Sequence, residues 1–240
     1  MSKNLKPDRT SEESENALLV ETSDMIEYYF EQGWTDGLPV VPPTPNLVNE
    51  MVIALGGEPN FLEARIPPRW GNLTREVLAI NLVLAGCRPS YALVARTAIL
   101  ALTSSHFNLH GVQATTHMAA PLMVVNGPAR NSIGLNSGAN VFGSGYRANA
   151  TIGRAIRLVL LNVGGGRPGD LDKSTLGHPG KYSFCIAENE EASPWPPYHV
   201  EHGYQKDDST VFCIATEGPH SVTNHVSNDP EGILDSVASA

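Results

Sequence analysis

The chain has 240 residues, 41% apolar and 17% charged, enough for one large domain with a core well above marginal size. A formal net charge of −9, with acids gathered at the two ends, argues against a nucleic-acid surface, which needs clustered Lys and Arg. There is no run of about 18 apolar residues to span a membrane, no apolar stretch in the polar start MSKNLKPDRTSEESEN, and no Cys-x-x-Cys among the three cysteines, so a cytoplasmic protein with reduced thiols is expected.

Residues 1–21 read as a flexible acidic tail, too polar to offset their ordering entropy. Residues 22–240 read as one compact α+β domain, a mixed sheet packed against a group of helices. A short amphipathic helix follows Thr22 or Ser23 and stops at Gly33. In GWTDGLPVVPPTP, residues 33–45, four prolines forbid helix and predict an extended strap anchored by Trp34 and Leu38. Asp36 is a candidate site residue on that strap. Asn46 to Leu55 predicts a second helix, ended by Gly56-Gly57, and Phe61 to Ile66 a short strand. Leu73, Val77, Ile80 and Leu84 recur at helical spacing, so Asn72 to Ala85 predicts a helix. Pro89 opens another, whose YALVARTAILAL is apolar nearly all round and therefore central.

His106, His110 and His117 form a cluster, but no HExxH pattern and no nearby acid completes a metal set. No metal is assigned, and the cofactor is left unknown. His117, beside Thr115 and Thr116 at the entrance to a strand, is the better candidate for proton transfer. An extended QATT segment leads into PLMVVN, residues 121–126, which predicts a buried strand.

Gly127-Pro128 turns that strand into a loop rich in Asn, Ser and Gly. Its residue types suit close backbone approaches and hydrogen bonds more than a core. Asn136, Ser137, Asn140 and Asn149 are the candidate substrate-binding residues. A helix starting near Arg147 would place free N–H groups and a planar guanidinium together, a combination that suits a carboxylate or phosphate. Gly143, Gly145 and Ala148 fit GxGxxA, but no continuous strand precedes them, so the dinucleotide fingerprint is discounted. The glycine run after this helix lacks the Lys-Ser/Thr ending of a P-loop and follows its helix instead of preceding it.

KYSFCIAENE, residues 181–190, and STVFCIATEG, residues 209–218, share Phe-Cys-Ile-Ala and predict two like strands that pair. Lys181 and Glu188 bracket Cys185; a nearby ammonium would lower the thiol pKa. Cys185, His117, Lys181 and Glu188 are accordingly the candidate catalytic residues, although two core strands with buried thiols explain the same pattern. The sheet is expected from segments near 111–126, 182–187 and 210–215.

Several strings together, GWTDGLPVVPPT, LAGCRP, QATTH, NSGANVFG, RANATIGRA, LVLLNVGG and HPGKYSFCIAENEE, resemble the large conserved region of proteins associated with the UGSC-motif selenoprotein family. That family is named for a selenocysteine or cysteine followed by Gly-Ser-Cys. The likeness covers roughly Gly33 to Val222, yet the chain contains no Cys-Gly-Ser-Cys. The resemblance implies that the redox motif resides on a separate small Cys- or Sec-containing subunit, or that this branch works without it.

The expected function is a cytoplasmic enzyme, or large enzyme subunit, acting on a small anionic metabolite, as an oxidoreductase using thiol or selenol chemistry supplied by a small partner. A non-redox lyase or hydrolase using His117 and Glu188, with or without a metal, is the alternative, and a non-catalytic scaffold the third. A homo-oligomer is compatible with each.

Overall fold

A computed structural model describes residues 24–240. The expected tail and the expected cap at Thr22 or Ser23 lie outside the described residues. The chain is α+β. In order it forms helix α1 over residues 24–31, α2 (Pro45–Ala54), strands β1 (Leu62–Ile66) and β2 (Gly71–Thr74), α3 (Arg75–Leu84), α4 (Ala92–Leu102), α5 (Leu109–Gln113), β3 (Ala120–Asn126), α6 (Pro128–Ser132), α7 (Arg147–Asn162), β4 (Cys185–Ala187), α8 (Tyr198–Glu201), β5 (Thr210–Thr216) and α9 (Pro230–Ala238). No helix among the described residues is long and apolar enough to cross a membrane.

The main sheet has the order β4-β3-β5, with β4 parallel and β5 antiparallel to β3. The two Phe-Cys-Ile-Ala segments therefore do not pair with each other; each pairs with the apolar β3 between them. Pro121 is tolerated in this central strand because β4 pairs only from Met123 onwards, so no ladder partner loses a bond to the missing N–H. One sheet face, carrying Met123, Val125, Cys185 and Ala187, is buried beneath the helices. Leu122, Val124 and Ile186 on the other face are only half-buried, the alternation that a one-sided sheet requires.

Helices α3, α4 and α7 supply the covering layer, with α4 on β5 and α7 on β4. Thr74, one of the two residues expected near the start of this helix with Asn72, caps α3 by accepting from the Val77 N–H. α7 is buried nearly all round, and Gly153 lets it press onto the entry to β4. A Cβ there would meet Ser183 Oγ at 2.4 Å and the Phe184 nitrogen at 2.6 Å. Ser183 Oγ uses that closeness to donate to the Ala150 carbonyl at 2.8 Å. The sheet segment expected near 111–126 is corrected: β3 begins only at Ala120, and Leu109–Gln113, which takes in the first residue of QATT, is a short helix because Asn108, with φ of +51°, turns the chain and its side chain accepts from the Gly111 N–H.

Candidate functional site

Charged side chains converge at an open cavity of about 800 Å³ beside the C-terminal half of α7. It is built from the strap, α7 and the segment 167–182. Arg154 and Arg157 lie three apart on α7 and so share a face. Arg154 grips the strap, donating from Nε and Nη2 to the two Asp36 oxygens at 2.8 Å each. Arg157 Nη2 donates to Asp172 Oδ2 at 2.8 Å. Lys181 Nζ reaches both oxygens of the same carboxylate at 2.9 and 2.8 Å and donates to Ser174 Oγ at 2.6 Å. Ser174 Oγ in turn donates to the His117 carbonyl at 2.6 Å.

Asp172, Arg157 and Lys181 are thus a triad of two cations on one acid, with side-chain exposures of 5, 7 and 12%. Burial pushes the Asp172 carboxyl up, but the Lys181 ammonium and Ser174 more than reverse this and hold it below the usual carboxylate range. Arg167 and Lys173 also line the cavity, and neither makes a side-chain hydrogen bond or ion pair among the described residues. The wall therefore carries four basic side chains against two acids, both already paired, in a chain whose overall charge is −9.

His178 completes the wall at the turn into Lys181. Its Nδ1 accepts from the Gly180 N–H at 3.1 Å, so the neutral ring carries its proton on Nε2. Burial, and then the Lys181 charge, lower its pKa, and the ring is neutral at neutral pH.

Of the residues expected to be catalytic, only Lys181 lies in this cavity. Cys185 sits under the helix layer at 4% exposure, its pKa pushed up by burial, with the other two thiols adding to the shift. Burial pushes Cys87 and Cys213 up to about 12. Cys185 and Cys213 flank Met123 from opposite neighbouring strands, and two strand spacings separate them by about 9–10 Å, beyond disulfide reach. His117 is a surface residue whose Nε2 lies 2.9 Å from Glu217 Oε1, and only its backbone carbonyl touches the cavity through Ser174. His110 stacks on the Trp70 ring. No group of three or more His, Cys, Asp or Glu among the described residues is arranged to hold a metal ion.

Glu188 belongs to a different cluster, at the C-terminal end of β4. It accepts from Asn126 Nδ2 and, at 3.0 Å, from the Tyr198 N–H. Glu190 accepts from the Gly127 N–H at 2.7 Å, and Arg130 bridges Glu190 and Glu191 at 3.0 and 2.6 Å. That guanidinium holds the Glu191 carboxyl at about 2.

The amide loop is a brace, not a cavity floor. Asn149 accepts from the Asn136 N–H at 2.8 Å and donates to its carbonyl at 3.0 Å, and that same carbonyl accepts from the Ala187 N–H, closing the outer edge of β4. Asn136 Nδ2 donates to the Ala139 carbonyl and Asn140 Nδ2 to the Ser144 carbonyl, so these amides are spent inside the loop. Ser137 is half-buried in the same loop. Arg147 does not wait at the start of α7 for an anion; it turns back to donate to the Gly86 carbonyl at 2.9 and 3.1 Å.

Arg157, Asp172, Arg167, Lys173, Ser174 and His178 were not singled out from sequence. One signal was present: charges inside GRAIRLVLL, a helix otherwise apolar, have to find partners. The chain matches no protein-family model, no curated protein and no solved structure.

Proposed function

We propose that the protein is an enzyme, or the large subunit of one, acting on a small anionic metabolite held in the cavity around Lys181. The observation that carries this reading is the surplus of cation there. Asp172 neutralises one of its two cationic partners, and the remaining charge is partly removed from water, an arrangement that an entering anion relieves. Arg167 and Lys173 at the same wall offer further donors for a carboxylate or phosphate.

Arg157 keeps Asp172 in place while Lys181 turns part of its charge to the ligand, binding and orienting it and stabilising negative charge that builds up during reaction. Ser174, already bonded to Lys181, offers a hydroxyl at the same point. Raised thiol pKa values remove the chain's own thiolates from a working role at neutral pH. A redox or reductive cleavage step in the cytoplasm then takes its thiol or selenol from a small partner subunit. The buried thiols equally favour a second reading, a non-redox lyase or hydrolase working from Lys181 and Ser174, with His117 and Glu188 outside the cavity.

Calorimetric titration with inorganic phosphate and with a series of dicarboxylates tests the binding step. Saturable binding that weakens with salt, and that Lys181→Met abolishes, is expected. Lack of binding by every anion in the series, or binding indifferent to Lys181→Met, sinks the proposal.

A further inference from the structure

β5 is an edge strand, and its backbone shows which groups it leaves free. Met123 donates its N–H to the Phe184 carbonyl, and the Val125 carbonyl accepts from the Glu188 N–H, so both residues direct their backbone towards β4. Their partners on the other side, Cys213 and Val211, are therefore in non-hydrogen-bonded positions of the antiparallel ladder. Alternation adds Ala215, opposite Pro121, which has no N–H to give. Val211, Cys213 and Ala215 thus turn N–H and C=O away from β3. No backbone hydrogen bond reaches them from another segment among the described residues.

The two edges of the sheet are treated differently. The β4 edge is closed by Asn136. The β5 edge, TVFCIAT, has no proline, no charge and no bulge, which are the devices that normally blunt an edge.

Its sequence is also self-complementary. Rotated about a twofold axis at Cys213, an antiparallel copy sets Thr210 against Thr216, Val211 against Ala215 and Phe212 against Ile214. In that register the outward groups of Val211, Cys213 and Ala215 meet outward groups of the copy; a slip of one residue sets them against inward ones. The side-chain pairs include Thr with Thr and an aromatic with a β-branched residue, both favourable across strands, alongside Val with Ala and Cys213 with its own copy. Helix α4 packs on β5, its Ala98 carbonyl lying 4.0 Å from Cys213 Sγ.

We propose that the β5 edge pairs with the β5 edge of a second copy of this chain, joining two three-stranded sheets into one across a twofold axis at Cys213. The inference is independent of what the cavity binds. Sedimentation velocity of the full chain tests it, with a mass of twice 25.7 kDa expected. Ala215→Pro removes an outward N–H while leaving the β3 ladder intact, and is expected to raise the dimer dissociation constant about tenfold or more with an unchanged circular dichroism spectrum. Ile214→Lys, at an exposed position on the same edge, is expected to do likewise and decides the matter if the proline variant fails to fold. A wild-type chain that is monomeric at every concentration, or a dimer that survives in the folded variants, overturns the proposal.

Discussion

Strand β4 carries opposite electrostatic arrangements at its two ends. Before it, one acid, Asp172, is shared by two cations, Arg157 and Lys181. After it, one cation, Arg130, is shared by two acids, Glu190 and Glu191, with Glu188 beside them. The acidic end is closed: backbone N–H groups of Gly127 and Tyr198 and the Asn126 amide absorb the excess carboxylate. At the basic end Ser174 and Gln113 accept from Lys181 and Arg157, but the cavity there also holds two more cations that stand unpaired among the described residues. The chain's own amides satisfy the surplus carboxylate at the acidic end, whereas Arg167 and Lys173 at the basic end find no side-chain hydrogen bond or ion pair among the described residues. This asymmetry is why Lys181, and not Glu188, is read as the functional residue.

Removing the central charge of the closed end has the largest expected effect. Arg130→Met leaves the nearly buried Glu190 without its cation and is expected to cost about 3–5 kcal/mol in urea denaturation, with anion binding per folded molecule unchanged. At the open end, Asp172→Asn is expected to cost less, about 2–3 kcal/mol, because Lys181 can relax towards the cavity. Added phosphate should restore part of that stability and stabilise the variant more than the wild type; equal stabilisation of both would remove the distinction between the two ends. Arg167→Ala and Lys173→Ala are each expected to weaken anion binding about tenfold by calorimetry. Their unfolding free energies should stay within about 0.5 kcal/mol of wild type.

Cys185→Ala is expected to lower stability by about 1 kcal/mol through lost packing and to leave anion binding intact. Iodoacetamide should label Cys185 in the native protein only on the timescale of unfolding. The smallest effect concerns His178, whose folded pKa lies below the 6.5 of the unfolded chain. Above 6.5 the ring is neutral in both states and costs nothing. As pH falls through 6.5 the unfolded chain takes up the proton first, so stability declines until the lower folded pKa has also been passed. Urea midpoints for wild type and His178→Gln, at neutral pH and at about pH 5, should show that share of the decline disappearing in the variant.

The local elements were largely legible in the chain. The apolar spacing of Leu73, Val77, Ile80 and Leu84 falls on α3, PLMVVN on β3, and the glycines at 56, 86 and 164 follow helix ends. Pattern reading failed where a turn residue outweighed composition, at Asn108 before α5. It failed again where two similar segments looked like partners but each found a better one in β3.

Sequence alone determined the class of the fold, because periodicity and helix stops act over a few neighbouring residues and survive any path of the chain. The meeting of charges was decided only in three dimensions. Asp36 and Arg154 lie 118 residues apart, and Arg157 and Asp172 lie 15 apart across a glycine run whose course no local pattern dictates. An asparagine-rich loop can as readily satisfy itself as a ligand, and an arginine at a helix start can as readily turn to a neighbouring carbonyl. Which of these happens depends on what the rest of the fold brings within about 3 Å.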